Sequence, residues 1–123
     1  MSSPVEIAVQ TYVRACCERE PTLRAELLTA CFAADGRMVT GSRELRGPTA
    51  IAEMLSRFYA DPKLLRIRLL SVIQARGTTF RYRAVAEFSD GTSAEAFDAG
   101  EVDANGQISL ILTFAGPLAD AQE

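Results

Sequence analysis

The chain contains no histidine. That absence removes the Ser-His-Asp triad, the Cys-His pair and any histidine-ligated metal site. There is no CxxC, no P-loop and no GxGxxG, so neither a metal nor a nucleotide cofactor is expected. Cysteine is scarce and odd in number, at Cys16, Cys17 and Cys31. Neighbouring Cys16 and Cys17 fall on different faces of a helix, and all three read as reduced, mostly core residues. No apolar run approaches the roughly 20 residues that cross a bilayer. Met1-Ser2-Ser3-Pro4 lacks the basic and apolar regions of a signal peptide, so no membrane partner and a cytoplasmic location are expected. Basic excess is also missing. The 13 Lys+Arg, almost all arginine, are outnumbered by 16 acids, for a net charge of -3. A nucleic-acid binder would carry a basic patch or stripe. With 123 residues and no repeat, linker or low-complexity stretch, the expectation is a single domain over 1–123.

What is present is ordered periodicity. Val5, Ala8, Val9, Tyr12, Val13, Cys16 and Cys17 recur at helical spacing, which predicts a helix from about Pro4 to Glu18. Pro21 suits a first helical turn. Leu23, Leu27, Leu28, Cys31 and Phe32 mark a second helix ending near Asp35-Gly36. Arg37–Thr40 and Glu44–Arg46 read as short strands around Gly41-Ser42. Gly47-Pro48 opens a third helix with the stripe Ile51, Leu55, Phe58 and Tyr59, stopped by Asp61-Pro62. Four strands follow, about Leu65–Ala75, Thr79–Phe88, Ser93–Asp103 and Gln107–Ala115, and the residues after Pro117 read as a frayed tail. Helices first and a meander after them predict an α+β fold, three helices on a curved, largely antiparallel sheet.

Strand register follows from how side chains segregate, because a one-residue slip turns a whole strand over. Ser89-Asp90-Gly91 and Ala104-Asn105-Gly106 both fit three-residue hairpins with glycine in the αL position. Ala86 then faces Ala94, Ala84 faces Ala96 and Tyr82 faces Asp98. In the next pair Val102 meets Ile108, Gly100 meets Leu110 and Asp98 meets Leu112. One face is apolar and holds Phe80, Tyr82, Leu112 and Phe114. The other collects Arg81, Arg83, Glu87, Glu95 and Glu101. Two-residue loops would mix these sets and put Arg83 across from Asp98. In the first register the alanines and Gly100 leave room for a pocket, and Asp98 is the lone carboxylate on an apolar face. Desolvation there would push it toward its neutral, hydrogen-bond-donating form.

In the order of its elements and in Ala8–Val13, Cys31–Gly36, Leu45–Ile51 and Gly106–Ile108, the chain resembles the nuclear transport factor 2-like superfamily. That group includes ketosteroid isomerases and SnoaL-like polyketide cyclases. The resemblance implies a cone-shaped domain with a pocket. In ketosteroid isomerases a helix-1 tyrosine and a protonated aspartic acid donate to the substrate oxygen, and an aspartate base moves the proton. The resemblance places the tyrosine at Tyr12 and the protonated acid at Asp98. It places the base at Thr40, which cannot abstract a proton. Asp35 and Glu44 are the nearest carboxylates.

The candidate catalytic residues are therefore Tyr12 and Asp98. Phe32, Met38, Thr40, Phe58, Tyr59, Phe80, Tyr82, Leu112 and Phe114 are the candidate ligand-binding residues. Plainer alternatives stand beside these. Tyr12 also reads as a core tyrosine, Asp98 as a strand carboxylate paired with an arginine such as Arg83, and the aromatic residues as core. Three functions compete. One is an isomerase, cyclase or hydrolase acting on a small apolar carbonyl compound. The second is a non-catalytic apolar ligand binder, homodimeric through the sheet with Phe97 and Ile111 as anchors. The third is a protein-interaction domain with a filled pocket.

Overall fold

The structure, a computed structural model, describes residues 2–116 and 120–122. Pro117, Leu118, Ala119 and Glu123, where a frayed tail is expected, lie outside the described residues.

Helix α1 spans Pro4–Cys17. Ser3 caps it through a reciprocal pair with Glu6, the Ser3 hydroxyl accepting from the Glu6 backbone N–H at 3.2 Å. Its buried face is Val5, Ala8, Val9, Tyr12 and Ala15. Helix α2, Pro21–Cys31, is capped by Glu20, which accepts from the backbone N–H groups of Thr22 and Leu23 at 3.1 and 2.7 Å. It stops five residues short of the expected glycine end. Phe32 and Ala33 are buried, and Phe32 pairs in strand with Ile108. Gly36 has no positive φ, and a Cβ on it would sit 2.6 Å from the Phe32 ring. Gly36 is thus a place where chains pass closely, and strand pairing of buried residues overrides the helix cap.

Strand β1 is Phe32–Thr40, β2 is Arg43–Arg46 and helix α3 is Gly47–Tyr59. The expected long strand after α3 is broken into β3, Leu64–Leu69, and β4, Gln74–Arg76. Strands β5 (Thr79–Phe88), β6 (Ser93–Val102) and β7 (Ile108–Ala115) complete one sheet ordered β2-β1-β7-β6-β5-β3, with β4 also paired to β5. All pairs are antiparallel except β1 with β7, so the curved sheet is mixed. The three helices cover its concave side. Tyr12, Leu28, Ile51 and Leu55 pack there against Phe32, Met38, Phe80, Tyr82, Ile108 and Ile111.

The β5–β6 register is as expected: Tyr82 faces Asp98, Ala84 faces Ala96 and Ala86 faces Ala94. Gly91 and Gly106 take positive φ values of 87° and 77° in their turns. The β6–β7 register is not as expected. Val102 meets Ile108, but Glu101 then meets Leu110, so Ser109 is an extra residue and β7 is displaced by one. Asp98 faces Thr113 and Gly100 faces Ile111. Ile111 is fully buried in the core rather than an outer anchor, and Phe114 is 59% exposed. The displacement was hidden because Ile108–Phe114 is apolar on both alternations save for Ser109 and Thr113.

Arg24 is the second surprise, a guanidinium only 1% exposed. It donates to the backbone oxygens of Glu18 (2.8 Å) and Arg19 (3.1 Å) and to Ser56 Oγ (3.0 Å), and it lies 4.6 Å from the Tyr59 ring centre. It donates to carbonyls of the turn just past α1, the C-cap Glu18 and the residue after it. Among the described residues, no helix is long and apolar enough to cross a membrane.

Candidate functional site

The curved sheet and the inner faces of α1 and α3 enclose a cavity of about 280 Å³. Its sheet wall can be read as rows crossing the strands. Phe80, Gly100, Ile111 and Met38 form one row. Tyr82, Asp98, Thr113 and Thr40 form the next. Ala84, Ala96 and Ala115 form a third. The middle row is polar and all four of its residues line the cavity. The alanine row, with Ala86 and Ala94 beyond it, leads toward the opening, where Ala94 and Ala115 are exposed. Phe58 and Met54 close over that end from α3.

Asp98 is 8% exposed. Its Oδ2 accepts a 2.6 Å hydrogen bond from the Tyr82 hydroxyl. Its Oδ1 is buried without any partner. Burial drives the carboxyl upward from the usual carboxylate range, and the Tyr82 and Thr113 hydroxyls only partly oppose this. Arg83 does not reach it, because Arg83 points outward and pairs with Glu95 at 3.5 Å. Tyr82 itself is held neutral, first by burial and then by the neighbouring Asp98.

Tyr12 reaches the same cavity from α1. It makes no bond to Asp98, whose Oδ2 is taken by Tyr82 and whose Oδ1 is free. Burial pushes its phenol well above its ordinary value, and the Cys16 thiol one turn away adds to this. Cys16 also lines the cavity, and burial raises its thiol above the usual range, so it stands there as a neutral group. Cys17 is exposed, with its thiol on the Ile67 carbonyl, and Cys31 is buried.

Among the residues expected to line the pocket, Met38, Thr40, Phe58 and Tyr82 do so. The others do not. Leu112 and Phe114 are turned to the outer face by the one-residue displacement of β7. Phe32 is buried beneath Tyr12, ring centres 6.3 Å apart. Phe80 stacks under Tyr82 and fills the space that Gly100 leaves, where a Cβ would meet its ring at 2.7 Å. Gly100 therefore makes room for a core ring rather than for a ligand. Tyr59 turns away and donates its hydroxyl to the Cys16 carbonyl. Thr113 was missed, because the expected register faced it outward. Glu44 pairs with Arg37 at 2.8 Å on the surface, and Asp35 is exposed, so neither serves the cavity. Among the described residues, no three His, Cys, Asp or Glu groups are placed to hold a metal ion.

A larger hollow of about 670 Å³ lies on the outer face over Leu110, Leu112 and Arg81. It is an open depression with a charged rim and shares no residue with the cavity around Asp98.

This cone of three helices on a curved mixed sheet is the nuclear transport factor 2-like fold. No protein-family model matches the sequence, and no curated protein matches it. Solved structures do. A candidate isomerase of the SnoaL-like family from Agrobacterium tumefaciens superposes with a TM-score of 0.81 at 22% identity, covering 94% of this chain and 100% of that one. An NTF2-like protein of unknown function from Exiguobacterium sp. 255-15 does so with 0.69 at 15% identity, covering 90% and 99%. An LEH-like epoxide hydrolase of M. tuberculosis gives 0.66 at 17% identity, covering 92% and 83%. At these identities the likeness carries the fold.

Proposed function

We propose that the chain is a ketosteroid isomerase-like or SnoaL-like enzyme acting on a small apolar carbonyl compound. The observation that carries this reading is the partnerless Oδ1 of buried Asp98, beside Tyr12 in the cavity wall. A neutral Asp98 carries its proton on Oδ1, because Oδ2 is already accepting from Tyr82. Oδ1–H and the Tyr12 phenol then donate to one substrate oxygen and stabilise charge that develops on it. Neutral donors suit this role, since neither must be desolvated during the reaction. Thr40 stands where the resemblance places a base, so the proton moves through water or the substrate itself. Structural neighbours described as a candidate isomerase and an epoxide hydrolase support small-molecule chemistry in such a cone. The test is isomerisation of a β,γ-unsaturated ketone by purified protein. A rate above buffer that falls with Asp98→Leu is expected, and a rate no faster than buffer removes the reading.

A second reading is a non-catalytic binder of a small apolar ligand. It is favoured by Asp98 being the one carboxylate that lines the cavity among the described residues. The sheet would make a homodimer, with Phe97 and the 59%-exposed Phe114, paired across β6 and β7, as anchors in place of Ile111. It predicts a raised melting temperature with apolar ligands and no product, and a dimer by light scattering that Phe114→Glu splits. The open cavity disfavours an interaction domain with a filled pocket.

A further inference from the structure

The polar row extends beyond the pair that the proposed chemistry uses. Tyr82, Asp98, Thr113 and Thr40 stand at one level on β5, β6, β7 and β1, and every one of them faces the cavity. The row is bounded by apolar rows, with Gly100, Ile111 and Met38 on one side and Ala96 and Ala115 on the other. Two threonines therefore sit at the end of the polar row away from Tyr82 and Asp98. Asp98 Oδ1 has no hydrogen-bond partner, and Thr113, its neighbour across the strands, stands close enough for its hydroxyl to oppose the effect of burial on the carboxyl. Resting on the carbonyl-binding reading above, we propose that the ligand carries a second oxygen. A carbonyl meets Asp98 and Tyr12, and a hydroxyl or second carbonyl at the other end of the molecule meets Thr113 and Thr40.

Three physical points support this. A hydroxyl donates and accepts, so two threonines side by side accept either a ligand alcohol or a ligand carbonyl. Adjacent strands are about 4.8 Å apart, so Asp98 and Thr40 are separated by about 10 Å along the backbone, and less at their tips on a concave face. That span matches oxygens on opposite sides of one ring. The cavity of about 280 Å³ also suits one substituted ring, since an apolar cavity of about 150 Å³ takes up benzene. The class is thus a compact, mostly apolar molecule with oxygen at both ends.

The test compares three ring compounds by calorimetry at pH 6, using the whole chain. 4-Hydroxyacetophenone has both oxygens, 4-methylacetophenone lacks the second and 4-ethyltoluene lacks both. One added hydrogen bond to a site built for it is worth about tenfold in affinity. 4-Hydroxyacetophenone should bind about tenfold more tightly than 4-methylacetophenone, and Thr40→Val with Thr113→Val should erase that difference. Valine keeps threonine's shape, and the comparison of ligands on the parent chain needs no variant. Equal binding of the two ketones, or a preference that survives the double substitution, overturns the second subsite while the carbonyl site stands. If 4-methylacetophenone binds no better than 4-ethyltoluene, or none of the three binds, the carbonyl reading fails and this inference fails with it.

Discussion

The Tyr82 hydroxyl donates to the Asp98 carboxyl at 2.6 Å across the β5–β6 pair. The bond leaves one carboxyl oxygen occupied and the other buried without a partner. It also fixes which oxygen carries a proton, because the occupied one accepts. Both groups are nearly sealed from water, at 4% and 8% exposure.

Tyr82→Phe removes the hydrogen bond that the buried Asp98 Oδ2 accepts. A buried group stripped of its partner costs about 1–3 kcal/mol. The urea midpoint should fall with an unchanged m-value. The carboxyl should move further upward, since the Tyr82 bond opposes its burial. An unchanged midpoint would mean that the bond does not hold the acid in place.

Asp98 also makes a prediction about pH. Its folded value is raised by burial, so the native state holds the proton more tightly than the unfolded chain. Below about pH 4, the ordinary aspartate range, both states are protonated and ionisation adds no penalty. As pH rises from there to the raised folded value, the unfolded chain ionises first and stability falls. Asp98→Asn removes this term. Its melting temperature should exceed the parent's by an amount that grows with pH above about 4 and then levels off. Glu87 works in the opposite direction. Arg68 and Arg66 hold it down to about 2, so its contribution is present above the usual glutamate range and is lost as acid takes pH through that lower value. It is common to both proteins and cancels from the difference. A constant difference across pH would show that Asp98 titrates normally.

Part of this arrangement was legible in the sequence. On β5 and β6 the charged residues Arg81, Arg83, Glu87 and Glu95 alternate with Tyr82, Ala84 and Ala86, so only one register separates them. Glycine at Gly91 and Gly106 fixed the two hairpins through their positive φ. β7 offered no such contrast. Ile108, Leu110, Ile111, Leu112 and Phe114 are apolar on either alternation, and the Ser109 bulge decides which set turns inward. That is why Thr113 and Ala115 took the cavity positions expected for Leu112 and Phe114. The end of α2 was illegible for a related reason. Asp35-Gly36 looks like a helix cap, and only the partner strand shows that Phe32 is drawn into the sheet.

Gly100 carries the third prediction. An added Cβ would lie 2.1 Å from the Leu110 carbonyl oxygen and 2.7 Å from the Phe80 ring. The backbone of β7 cannot yield without disturbing the bulge beside it. Overpacking of this kind costs about 1–3 kcal/mol, occasionally more. Gly100→Ala should lower the melting temperature and loosen the Phe80–Tyr82 stack, visible as altered near-ultraviolet circular dichroism. A variant as stable as the parent would show that the bulge absorbs the methyl group.

Arg24 is the last test, and it separates a charge from a geometry. Its guanidinium serves the Glu18 and Arg19 carbonyls and Ser56 Oγ from one plane, with the Tyr59 ring alongside. Tyr59 in turn bonds the Cys16 carbonyl, so the end of α1 that bears Tyr12 and Cys16 is tied to α3 through this cluster. A methionine at this position fills similar volume but takes away the charged donor from these part-buried bonds, at about 1.5–3 kcal/mol for each hydrogen bond to a charged group. Arg24→Met should therefore be strongly destabilised. Arg24→Lys keeps the charge but has no planar fork to meet three acceptors, so it should recover less than half of the loss in a denaturant titration. Full recovery by lysine would mean that positive charge at the end of α1, rather than the three-way bond, is what the fold requires.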